Sequence, residues 1–152
     1  MKTMKTIKSQ IYIITLLTIT LISGLSCDGA DDDPNAQELA FEMLSGSWDI
    51  SQGGSIIIDG QDGSLNFQGF SLSFTDGGYT TTNAGELFGA LGTWEWVDEE
   101  AKLIDLDDGK RLTLVSLTDT ELVFSFQFDG QGGQANHSDS IAGSYTITVN
   151  QP

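Results

Sequence analysis

Residues Glu121 to Phe128, read Glu-Leu-Val-Phe-Ser-Phe-Gln-Phe, constrain this chain more than any other stretch. Leu122, Phe124, Phe126 and Phe128 fall on every second position, with Glu121, Ser125 and Gln127 between them and Val123 the one apolar exception. A strand turns successive side chains to opposite faces, so this pattern buries one face and wets the other. The same period runs through Trp48 and Ile50, through Phe70, Leu72 and Phe74, and through Trp94 and Trp96. It returns in Leu112 and Leu114 and in Tyr145, Ile147 and Val149. Half-buried antiparallel strands read this way.

The links between these runs carry turn chemistry: Asp76-Gly77-Gly78, Asp98 to Ala101, Asp107-Asp108-Gly109 and Thr118-Asp119-Thr120. Links this short join neighbours in sequence as hairpins. The expectation is an all-β domain, an antiparallel up-and-down meander of eight to ten short strands. With one apolar face per strand, such a sheet closes into a small barrel or folds over on itself. Ahead of it, Asn35 to Leu44 predicts a short N-terminal helix, with Asp33 as cap and Pro34 at the first position. Ala36, Leu39, Ala40 and Met43 would form its apolar face. Residues 35–152 suffice for one domain with one core.

The N-terminus is of another kind. Lys2, Lys5 and Lys8 precede an apolar run from Ile11 to Ile22, followed by small residues. A basic start, a short apolar centre and a small-residue cut site make a signal peptide. The run is too short for a membrane-spanning helix, which needs roughly 18 or more apolar residues. Gly24 and Ser26 also suit an ordinary signal peptidase, which leaves a plain secreted or periplasmic product as the alternative. Gly24-Leu25-Ser26-Cys27 resembles a bacterial lipobox, which implies lipidation at Cys27, the single cysteine of the chain. Residues 1–26 are then the lipoprotein signal peptide and 27–34 an acidic tether. Asp28, Asp31, Asp32 and Asp33 resemble the surface-export signal of lipoproteins from Bacteroidota-type bacteria. Lipid anchoring at the cell outer membrane, facing outward, is the expected location.

Charge excludes one class of partner. Removing residues 1–26 takes away three of six basic residues and none of the 22 acidic ones. A surface this acidic repels nucleic acid and anionic headgroups. Contact with the membrane is therefore expected through the lipid alone. The sequence carries no signal of oligomeric state.

Several short motifs resemble a known family. Leu44-Ser-Gly46-Ser-Trp48 is similar to the glycine-x-tryptophan signature of lipocalins and their bacterial relatives. Phe74-Thr-Asp76-Gly77-Gly-Tyr79 resembles the strand–turn–strand element of small lipocalin-like lipoproteins. Gly92-Thr-Trp94-Glu-Trp96 with Leu103-Ile104, and Leu117-Thr-Asp-Thr-Glu-Leu122, are similar to the same group. The likeness spans roughly residues 39–149. It implies a lipocalin-like barrel in which Gly46 and Trp48 are structural, Trp48 packing across the closed end.

A small barrel either fills its interior with side chains or holds one ligand. The bulky inward candidates, Phe74, Trp94, Trp96, Phe124, Phe126, Phe128 and Tyr145, favour a mostly filled interior with at most a modest apolar cavity. For that cavity Trp94, Trp96, Phe124, Phe126 and Tyr145 are the candidate lining. Leu87, Phe88 and Leu91, in the segment from Asn83 to Leu91, are candidates for its mouth. That segment and the Gly-rich one from Asp129 to Ser140 fall at the same end of a meander. The leading expectation is a non-enzymatic, lipid-anchored barrel that binds a small apolar molecule. The alternative is a filled barrel acting as a structural or accessory module toward protein or glycan partners.

Catalysis finds little support. His137 is the sole histidine and sits among glycines, without a nucleophile motif nearby. Zinc lacks ligands, and Asp105 to Gly109 has turn chemistry without the ligand order of a calcium loop. No metal or cofactor is expected.

Overall fold

A computed structural model describes residues 33–130 and 141–152 of the chain. The leader, Cys27, most of the acidic tether and His137 lie outside the described residues. Among the described residues of Pro34–Pro152, a short helix α1 (Ala36–Leu44) precedes ten strands. These are β1 (Gly46–Asp49), β2 (Ser55–Ile58), β3 (Gln61–Asp62), β4 (Ser71–Thr75) and β5 (Gly78–Thr82). Then come β6 (Leu91–Trp96), β7 (Leu103–Leu106), β8 (Arg111–Leu117), β9 (Glu121–Phe128) and β10 (Gly143–Asn150).

From β4 to β10 every strand pairs antiparallel with the next, the meander that the alternation predicts. β1 pairs with β4 and, through Asp49 opposite Asn150, with β10, so eight strands close into a barrel. The strand most legible in sequence is also the best paired. β9 and β10 match over their whole length, from Gly143 opposite Phe128 to Asn150 opposite Glu121.

The start of the barrel departs from a simple up-and-down order. Between β1 and β4 the chain inserts β2, which pairs with the edge of β10 that β1 also meets, and β3, which pairs with β2. Asp49 opposes Asn150 and Ser55 opposes Thr148, so β1 and β2 follow one edge of β10 with a looped-out segment between them. Gly54 permits that return: a Cβ there would stand 2.6 Å from Ile50 Cα and 2.7 Å from Thr148 O. Asp59 and Gly60, both at positive φ, turn β2 into β3, the Asp-Gly hairpin signal. Leu65 and Phe67 belong to a 3-10 turn (Ser64–Phe67), not to a strand.

The interior is a continuous cluster of rings and aliphatic chains. Trp48, Phe70, Phe74, Phe124, Ile147 and Tyr145 are among its members, all essentially without solvent contact. Leu122, Phe124, Phe126 and Phe128 all point inward, as their spacing predicts. Phe126 stacks on Tyr145 at 5.3 Å, and Phe88 packs against Phe126 at 5.1 Å and Phe124 at 6.2 Å. Among the described residues, no buried side-chain nitrogen or oxygen lacks a hydrogen-bond partner. Such agreement of pattern, pairing and polar satisfaction is what lets one fold win over its competitors.

α1 corrects two details of the sequence reading. Its cap is Asn35: the Asn35 side chain accepts from Glu38 N at 3.0 Å, and Glu38 accepts from Asn35 N at 2.9 Å. This reciprocal pair is a capping box, and it leaves Asp33 and Pro34 outside the helix. The inward face is Gln37, Ala40, Phe41 and Leu44, while Leu39 is exposed. The helix has apolar residues on two overlapping stripes. The tertiary contact, Phe41 against Trp94 with Leu44 beneath Trp48, selects the one carrying Phe41.

Candidate functional site

Two ends result from the alternation of strand direction. One holds the Asp76-Gly77, Asp98–Ala101 and Thr118–Thr120 turns, and α1 lies over it, with Gln37 Nε2 donating to Asp98 O at 2.8 Å. The opposite end holds the segment between β5 and β6, the turn around Gly109 and the 3-10 turn.

At this opposite end, Leu87 is fully buried and Phe88 is 5% exposed. They act as a plug: Phe88 meets Phe70, Phe124 and Phe126 within about 6 Å of ring centroid separation. Lys110 lies over this plug, its Nζ 6.0 Å from the Phe88 ring and 5.8 Å from that of Phe128, in an ion pair with Asp108. Leu91, expected beside Leu87 and Phe88, lies instead on the outer surface, 75% exposed. Strand parity explains the split, since Gly92, Trp94 and Trp96 take the inward positions of β6 and Leu91 is out of phase with them.

The other pocket candidates are also placed. Phe124, Phe126 and Tyr145 are buried in the central cluster, and the Tyr145 hydroxyl donates to Ile141 O at 2.6 Å. Gly46 opens β1 at a φ of 134°, where a side chain would be strained. Trp48 is fully buried, its Nε1 donating to Leu44 O at 2.9 Å. Trp94 is nearly buried and Trp96 half-buried, and they meet edge to face at 5.1 Å.

Trp94 belongs to the core cluster and Trp96 packs against it, and both also border the exterior at the end covered by α1. With Phe41 of α1 they floor a groove of about 470 Å³ between the helix and the β4–β5 turn. Asn35, Gln37, Glu38, Asp76, Gly77 and Glu95 complete its walls. A second, larger groove of about 560 Å³ runs from the turn at Asp108 to Phe128 and Ser144. The sequence singled out Trp94 and Trp96 of the first groove and Phe126 of the second as site candidates. Phe41 had a signal, an aromatic side chain beside the expected helix face, but nothing in sequence places Asp76 and Glu38 together.

Electrostatics follows burial and pairing. Tyr79 crosses from β5 until its hydroxyl oxygen lies 3.5 Å from Asp107 Oδ1. Burial first, then the charges of Asp108 and Asp107, push its pKa up to about 12. Arg111 holds Asp105 in a two-pronged contact, both bonds 2.7 Å, and these hydrogen bonds keep the Asp105 carboxyl below its ordinary range. Among the described residues no three histidine, cysteine or carboxylate side chains form a set that could hold a metal ion.

No family model, curated protein or solved structure matches this chain.

Proposed function

We propose that this chain is a lipid-anchored lipoprotein of the bacterial cell envelope whose lipocalin-like barrel is a filled scaffold. In this reading it works through its outer surface, as a non-catalytic interaction module toward protein or glycan partners. One observation carries the choice over an internal ligand. Leu87, Phe88, Phe124, Phe126 and Tyr145, the side chains that would line or gate a pocket, pack on one another in the central cluster. A small barrel occupied in this way is a rigid body and not a container. The resemblance of Gly46-Ser-Trp48 and the later motifs to lipocalins supports the family reading.

The anchor rests on residues 1–27: basic start, apolar run, and Cys27 in a lipobox-like setting. Each acyl methylene buried in a bilayer contributes about 0.8 kcal/mol, so two or three chains hold a domain of this size firmly. The acidic surface then faces away from anionic headgroups, and the resemblance of the aspartates after Cys27 to a surface-export signal supports a location on the outer face of the outer membrane.

Two measurements on the chain expressed in a diderm bacterium test this. Mass spectrometry of the N-terminal peptide is expected to find an acylated Cys27, and Cys27→Ser to move the protein out of the membrane fraction. A free Cys27 thiol would overturn the anchor. Organic extraction of the purified protein is expected to yield no apolar molecule in stoichiometric amount. Recovery of one would restore the internal-ligand reading.

A further inference from the structure

The groove beneath α1 has a composition that packing alone does not demand. Its floor is aromatic: Phe41 meets Trp94 at 6.0 Å and Trp94 meets Trp96 at 5.1 Å. Trp94 spends its indole N–H inside the fold, on Thr75 O at 2.9 Å and Gly78 O at 3.1 Å. Trp96 does not. It is half-buried, and its indole N–H makes no hydrogen bond among the described residues.

The rim is negative and unneutralised. Glu38, Asp76 and Glu95 stand around the floor, all exposed, and among the described residues no lysine or arginine joins them. The basic side chains of the described barrel are engaged elsewhere, Lys102 with Glu100, Lys110 with Asp108 and Arg111 with Asp105. The N-terminus of α1 opposes this field with about half a positive charge. However, Asn35 and Glu38 already occupy its first donors, and three whole charges outweigh it.

We propose that this groove binds a small organic cation, an ammonium group carried on an apolar frame. The faces of tryptophan and phenylalanine attract a cation within about 6 Å of the ring, tryptophan most strongly. The carboxylates add a field of the same preference and select against anions and neutral molecules. A metal ion is the wrong occupant. It needs several oxygens converging at about 2.0–2.6 Å, and no such set exists among the described residues. Volume agrees as well: about 470 Å³ falls in the range of roughly 300–1,000 Å³ typical of small-molecule sites. The Trp96 N–H, without a hydrogen bond among the described residues, supplies a donor for a hydroxyl or carbonyl on the same ligand. The site lies outside the barrel, so it stands or falls independently of acylation at Cys27 and of the packed interior.

The test uses the full-length, ¹⁵N-labelled chain in detergent and follows its indole N–H resonances. Choline is the probe, and 3,3-dimethyl-1-butanol, its neutral isostere, the control. Choline is expected to shift the Trp96 indole saturably, leave that of Trp48 unmoved, and bind about tenfold more tightly than the isostere. Trp96→Ala should weaken it about tenfold and Trp96→Phe less, while Glu95→Gln and Asp76→Asn should each weaken it about threefold. Those two carboxylate variants lie on the exposed rim and keep the test valid if Trp96→Ala does not fold. Equal binding of the isostere would overturn the proposal in favour of a plain apolar crease. A shift with glucose in place of choline would overturn it in favour of a sugar platform. No shift with any probe would also sink it.

Discussion

The two ends of this barrel are closed by opposite means. At one, a segment without regular structure sends Leu87 and Phe88 into the interior, where they join Phe67 and Phe70 with almost no exposure. At the other, a capped helix lies across the opening, burying Ala40 and Leu44 but leaving Phe41 half-buried and Leu39 exposed. The irregular piece contributes mostly buried apolar area. The regular one supplies its own hydrogen bonds and cap, so it can stand partly away from the barrel and leave a groove with aromatic walls. Regular secondary structure is thus no guide to which end is packed more tightly; the number of side chains delivered to the core is.

The sharpest way to break this contrast is to truncate one aromatic at each end. Phe88→Ala removes a ring packed on three others and is expected to cost about 3–5 kcal/mol in chemical denaturation. Phe41→Ala, losing a half-buried ring, should cost about 1–2 kcal/mol. Equal losses would mean that helix and plug hold the barrel alike.

Tyr79 reports on the plugged side in alkali, because its hydroxyl leans on Asp107. Folding raises its pKa from 10.0 to about 12. A raised pKa means that the folded state holds the proton more tightly. The stability this contributes is therefore complete below about pH 10 and is lost as pH rises through about 12. Melting temperatures across that window should fall less steeply in Tyr79→Phe than in the parent, and parallel curves would refute the assignment.

Asn35→Ala probes the other end by removing the cap, at an expected cost of about 1 kcal/mol, with Asn35→Asp close to neutral. Since α1 carries one wall of the groove, the same variant should also weaken choline binding, and unchanged binding would detach the groove from the helix. The smallest effect is expected from Arg111→Gln on the outer face. Its pair with Asp105 is exposed and screened, so the change in denaturation midpoint should vanish at about 0.5 M salt.

How legible all this is depends on whether neighbours in sequence are neighbours in space. β9 is legible because Leu122, Phe124, Phe126 and Phe128 carry the whole signal within eight residues. The hairpin turns are legible for the same reason. Ile56 to Ile58 followed by Asp59-Gly60 holds a hairpin signal too, yet its place outside the ring depends on Thr148 and Tyr145, almost ninety residues on. The face of α1 is ambiguous because Leu39 and Met43 compete with Phe41 and Leu44 at helical spacing. Leu87, Phe88 and Leu91 look equivalent until strand parity turns Leu91 outward. The groove is the extreme case, assembled from three segments with no common motif.

By itself, then, the sequence determined the strand class, the turns, the alternating core and the acidic surface, since each depends on spacing or composition within a few residues. The bulk of the inward residues favoured a mostly filled interior, but tertiary structure alone decided how Phe124, Phe126 and Tyr145 pack with Leu87 and Phe88. It alone also decided that Trp94 and Trp96 border one groove with Phe41, Glu38 and Asp76. The physical reason is the same in both cases. Local pattern says which side of a strand is apolar, but only closure of the barrel sets how much volume that side must fill and which distant segments cover its ends.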